Sequence, residues 1–149
     1  MSAATGKAVF GKSVARLEDP DLLRGKGRYV DDIHLPGMLE AAFVRSPFAH
    51  AAINGINTEA ARALPGVHAV YTLSDLLPHL RTERLLVAMP SPAYRLEAHR
   101  PALAVDEVTY VGEPVAVVIA DNRYIAEDAA ALVEVDYDPL PAASDCCLL

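Results

Sequence analysis

Val111–Asp138, VGEPVAVVIADNRYIAEDAAALVEVDYD, runs an apolar strand, a capped helix and a second strand together in immediate succession. Val115–Ala120 is almost wholly apolar, the composition of a strand buried on both faces, with Val117 at its middle. Pro114 stands just ahead of it, where no ladder donor is needed. Asp121 and Asn122 end the run. Their side-chain oxygens can accept from the first free N–H groups of a helix starting near Arg123, and the acidic entry suits the positive end of that helix. The helix is predicted to reach about Leu132, with Ile125, Ala129 and Leu132 as its buried stripe and Glu127 and Asp128 in water. Val133, Val135 and Tyr137 then alternate with Glu134, Asp136 and Asp138, the period of a strand with one wet face. Pro139 and Pro141 stop it.

Upstream the same alternation of strands and helices recurs. Met38–Val44 reads as a strand and Ala51–Ile56 as a weaker one; Thr58–Leu64 reads as a short helix that Asn57 or Thr58 can cap. Pro65 and Gly66 break that helix. Val67–Thr72 is the next strand, and Ser74 can cap a helical turn that runs through Leu77 and ends before Pro78. From Leu80 to Val111 the pattern dissolves: Pro90, Pro92 and Pro101 interrupt it, and Arg81, Arg84, Arg95 and Arg100 are scattered among apolar residues. A loop of that length inside a domain is a functional or a poorly ordered one. Residues 1–37 read as an extended, turn-rich segment punctuated by Gly25, Gly27, Pro36 and Gly37.

A chain of 149 residues with 52% hydrophobic content and no low-complexity tract is expected to form one globular domain with a real core. No apolar run approaches a membrane span and the first residues lack a secretory signal, so the cytoplasm is the default expectation. The formal charge of −7 arises largely between Asp106 and Asp138, where Arg123 is the one basic residue among many carboxylates; such a surface repels nucleic acid.

Three motif matches are weaker than they look. Gly6–Ser13, GKAVFGKS, has the spacing of a phosphate-binding loop, but no buried strand precedes it and Asp19-Pro20 cuts off any helix begun at Val14. The final Cys-Cys-Leu-Leu has the form of a prenylation box without the polybasic signal that stable anchoring needs, and Cys146 and Cys147 make neither a metal clip nor a disulfide framework. His34, His50, His68, His79 and His99 include no pair at zinc-site spacing. Among the carboxylates Glu113 stands out. Between Gly112 and Pro114, at the mouth of the apolar strand, it is either aimed at a neighbouring chain or cavity or part of a solvated turn.

Four segments occur in an order that matches a known family: RLEDPDLLRGKGRYVDDI (Arg16–Ile33), RSPFAHAAI (Arg45–Ile53), PGVHAVYT (Pro65–Thr72) and YVGEPVAVVIA (Tyr110–Ala120). Together they strongly resemble the start of the large subunits of molybdenum hydroxylases, the xanthine dehydrogenase, aldehyde oxidase and carbon monoxide dehydrogenase family. The resemblance extends from about Phe10 to Ala142. It implies an α+β fold, the α/β hammerhead, with a mixed sheet, two main helices and a long irregular loop. Residues 1–37 would be an extended N-terminal segment, 38–142 the hammerhead domain and 143–149 a tail. That tail departs from the family's continuation as a truncated gene, a frameshift or a cloning boundary would make it do.

The resemblance further implies a cytoplasmic oxidoreductase subunit that holds a molybdenum–molybdopterin cytosine dinucleotide in its full length and passes electrons to iron–sulfur and FAD partners. The glycine-rich cofactor loops and the catalytic glutamate of that family lie downstream of this region, so no catalytic, cofactor-binding or metal residue is carried over. The role implied is structural, with Leu85, Leu86, Met89, Tyr94 and Glu113 as channel or interface residues; a stand-alone binding or assembly module is the alternative. The purified chain is expected to carry no molybdenum, flavin or iron, because two cysteines cannot build an iron–sulfur site. Stoichiometric metal found by elemental analysis would count against that expectation.

Overall fold

A computed structural model describes residues 10–85 and 100–143. The chain divides into two compact units, Met1–Gly37 and Met38–Leu149.

The first unit is not uniformly extended. Helix α1, Asp19–Leu22, takes Pro20 into its first turn, where a proline has no helical N–H to lose and its φ is already helical. Asp19 holds the entry by accepting from the Arg16 N–H at 3.1 Å. A single 3₁₀ turn follows at Val30–Asp32, where the Asp32 carboxylate accepts from the Tyr29 N–H at 2.9 Å.

In the second unit, strands β1 (Glu40–Arg45), β2 (Ala51–Asn57) and β3 (Val67–Tyr71) alternate with helices α2 (Glu59–Ala63) and α3 (Leu73–Leu76). The two-residue strands β4 (Arg84–Leu85), β5 (Arg100–Pro101) and β6 (Glu107–Val108) come next, then β7 (Pro114–Ala120), α4 (Arg123–Ala131) and β8 (Glu134–Pro139). The α+β hammerhead class is the one expected. Its strands form small antiparallel sheets where one mixed sheet was anticipated: β1-β7-β3, β6-β2-β8 and the β4-β5 pair.

The apolar strand β7 is central in its sheet. α4 crosses one face of it, and Val118, Val70, Ala61, Ala129 and Val133 form a buried cluster there. A second cluster, Ala51, Ala104, Val108 and Val115, lies against the β2 sheet; Ile56 and Val135 pack on both. Each fully buried valine side chain removed from water contributes about 1.5–3 kcal/mol.

Four local expectations are corrected by this packing. Val117 is only half-buried, since strand alternation turns Val118 and not Val117 toward α4. Leu132 caps α4 and stays exposed, and the stripe that meets the sheet is Ala126 with Ala129, small residues that let the helix approach closely. α3 is capped by Thr72 in place of Ser74: the Asp75 carboxylate accepts from the Thr72 N–H at 2.8 Å and from its hydroxyl at 2.9 Å. Pro78 continues into a 3₁₀ turn, Leu77–His79.

The described parts of the segment 80–111, residues 80–85 and 100–111, are also less irregular than their composition suggests. The Ala104 N–H donates to the Pro114 carbonyl at 2.8 Å, the Ile53 N–H to the Asp106 carbonyl at 2.8 Å, and Leu103, Ala104 and Val108 are buried. Strands of two residues are too short to show a period, which is why the sequence hides them.

Candidate functional site

Three of the four segments that carry the family resemblance meet in two junctions of the second unit. At the first, Arg45–His50 packs against the turn before β7. Gly112 adopts φ +88°, which favours glycine, and its carbonyl accepts from Arg45 Nη1 at 2.9 Å. Main chains clasp on both sides: the Ser46 N–H donates to the Glu113 carbonyl at 2.9 Å and the Gly112 N–H to the Ser46 carbonyl at 2.8 Å. Ser46 is buried, and its hydroxyl accepts from the Phe48 N–H at 3.0 Å while donating to the Phe48 carbonyl at 3.1 Å. The Phe48 and Tyr137 rings lie 5.2 Å apart, tilted. Burial pushes the Tyr137 phenol above its ordinary value, and a hydrogen bond with Ser46 opposes the shift.

Glu113 is not in a solvated turn. It is 5% exposed, and its Oε2 accepts from the Thr109 N–H at 2.6 Å and the Thr109 hydroxyl at 3.1 Å. A carboxylate buried at a strand mouth is stable only when such donors replace water, and here they close the turn onto itself.

His50 ends this junction. Its Nδ1 lies 2.7 Å from the Pro141 carbonyl, which makes that nitrogen the N–H donor, and its Nε2 faces Glu107 Oε2 at 3.5 Å. The carbonyl contact, aided by Glu107, raises the His50 pKa above the ordinary 6.5 although partial desolvation opposes it. The imidazolium therefore ties the exit of β8 to β6 more firmly than the neutral ring does. Because the folded pKa is the higher one, this contribution is complete below pH 6.5 and disappears as pH rises through the folded pKa. Denaturant midpoints measured from acid to alkaline pH should show stability falling across that window, and His50→Ala should flatten the fall; an unchanged slope would rule out the clamp.

The second junction joins Pro65–Thr72 to the start of α4. Gly66 adopts φ +89°, and its carbonyl accepts from the Asp121 N–H at 2.9 Å. His68 Nε2 is 2.7 Å from Asp121 Oδ1, and Asn122 caps α4 by accepting from the Ile125 N–H at 3.0 Å.

Of the residues singled out from sequence, Leu85 ends β4, is 59% exposed and pairs with Arg100. Leu86, Met89 and Tyr94 lie outside the described residues. Glu113, at the entry to β7, belongs to another sheet. Arg45, Ser46, His50 and His68 were not singled out as sites, although a serine before Pro-Phe and polar residues inside a matched motif were a visible signal of tight local bonding. Among the described residues no group of three or more His, Cys, Asp and Glu side chains is placed to hold a metal. No described helix is long and apolar enough to cross a membrane.

The family model for the aldehyde oxidase and xanthine dehydrogenase a/b hammerhead domain matches residues 24–141. The carbon monoxide dehydrogenase large chain of Afipia carboxidovorans is 49% identical over 130 residues, which is 87% of this chain and 15% of that protein. The nicotine 6-hydroxylase large subunit of Paenarthrobacter nicotinovorans is 46% identical over 138 residues, 92% of this chain and 16% of that protein. In the crystal structure of a Cu,Mo-CO dehydrogenase, a chain 47% identical superposes with a TM-score of 0.76 over 91% of this chain and 16% of its own length. The chain thus spans about one-sixth of the length of the relatives it matches. With the family model covering most of its length and a relative 49% identical over 87% of it, the chain belongs to the aldehyde oxidase and xanthine dehydrogenase family, in which it is the a/b hammerhead domain.

Proposed function

We propose that this chain is the N-terminal module of a molybdenum hydroxylase large subunit, structural rather than catalytic, with the segment 80–111 contributing to the substrate's entrance channel. The observation that carries the structural role is the use made of the matched motifs: Arg45, Ser46, His50, Gly66, His68 and Glu113 all hold strands and turns of the domain itself. Bonds within the domain therefore account for these motif residues as parts of the scaffold.

Molybdenum enters this reading through the similarity to a Cu,Mo-CO dehydrogenase. The described residues do not fit such a group, because the buried polar side chains, Ser46 and Glu113, face internal partners and no ligand cluster is present among them. In the whole subunit the reaction would be hydroxylation of a heterocycle or aldehyde with oxygen from water, or oxidation of carbon monoxide. Iron–sulfur and FAD partners would take the electrons. The similarity to a carbon monoxide dehydrogenase large chain and to a nicotine 6-hydroxylase large subunit supports the reaction class.

The channel role is supported by the apolar and arginine-rich composition of 80–111 and by the exposure of Leu85. Alanine at Leu85, Leu86 and Tyr94 in the full-length enzyme should change substrate preference or KM while molybdenum content stays intact. Unchanged kinetics across a panel of large and small substrates would leave the segment as packing alone.

A further inference from the structure

Strand β7 is apolar on both faces, yet the two faces are treated differently. Ala116, Val118 and Ala120 are fully buried on the side of α4. On the other side Val117 has Phe43 and Tyr71 as its cross-strand neighbours, and Ile119 has Ala41 and Ala69. Phe43 and Tyr71 are 48% and 40% exposed, and Val117 and Ile119 are half-buried between their neighbours. The Arg45 guanidinium sits 5.4 Å from the centre of the Phe43 ring at one end of this surface. An antiparallel strand with a face meant for water alternates polar with apolar residues, as β8 does with Glu134, Asp136 and Asp138. β7 has no polar residue on either face, so its composition demands a second cover that α4 does not supply.

We propose that the remainder of the large subunit docks on this face, centred on Phe43, Val117, Ile119 and Tyr71, through an apolar surface of its own. The inference rests on the reading of the chain as a module of that subunit. The choice of occupant follows from length and charge. The chain matches only 15–16% of its relatives, so most of such a polypeptide lies outside it and is tethered to it at high effective concentration. A second copy is disfavoured by self-repulsion, since each chain carries a formal charge of −7.

Hydroxyl-radical footprinting tests this without a variant that could misfold. Oxidation at Phe43 and Tyr71 would be read by mass spectrometry in the 149-residue chain alone and in a full-length subunit where it replaces the matching segment of the Afipia carboxidovorans large chain. Both residues should react about fivefold or more slowly in the full-length subunit, the ratio of their present exposures to those of a buried interface core. Equal rates in an assembled subunit would overturn the docking face and leave the module reading intact. Failure of the chimeric subunit to assemble would overturn both. Protection that grows with concentration in the isolated chain would mean a second copy covers the face, and would also overturn the proposal.

Discussion

Val118→Ala should destabilise the chain by about 2–3 kcal/mol. Val118 has no exposed surface, and it belongs to the cluster with Val70 of β3, Ala61 of α2, Ala129 of α4 and Val133 between α4 and β8. Removal of two methyl groups there loses their transfer energy and leaves a void that the neighbouring alanines are too short to fill. Val117→Ala, one position away on the half-buried face, should cost about 1 kcal/mol or less in the isolated chain. Glu127→Ala on exposed α4, which breaks only the surface pair with Arg123, should shift stability by under about 0.5 kcal/mol. Urea midpoints of the three variants give the comparison directly. If Val117→Ala proves as damaging as Val118→Ala, the assignment of β7's faces is wrong.

Gly66→Ala combines two costs at the second junction and should lose about 2–4 kcal/mol. The residue sits at φ +89°, where a side chain is strained whatever the surrounding space. The space is tight as well: an added Cβ would lie 2.7 Å from Ile125 Cδ1 and 3.2 Å from Asp121 Oδ2, so the ends of those two side chains would have to shift. A shift of the Asp121 carboxylate would disturb its contact with His68. Gly55→Ala is the matched control, because nothing lies within 4 Å of its added Cβ and its φ is ordinary. Similar thermal midpoints for the two variants would show that α4 is not seated through Gly66.

Much of this was legible because the signals are local. The apolar run of β7, the alternation of β8 and the Asn122 cap of α4 depend on residues within a few positions of one another, and each is present as read. The capping of α2 was also readable, since the Asn57 side chain accepts from the Glu59 N–H at 3.1 Å. The Ser74 cap failed for a local reason, because the Asp75 carboxylate bonds back to Thr72 and makes that residue the cap. Other failures came where a second, distant partner decides. The strands β4, β5 and β6 exist only through partners elsewhere in the chain, so nothing in their own two residues announces them.

The sequence by itself determined the family, the order of the main elements and the apolar character of β7, since motif order and hydrophobic period are properties of the chain as written. Tertiary structure decided which face of β7 is covered, because α4 can lie on only one side of a strand that is apolar on both. It also decided that Glu113 turns inward to Thr109: a carboxylate goes wherever donors replace its water, and those donors are placed by the turn between β6 and β7.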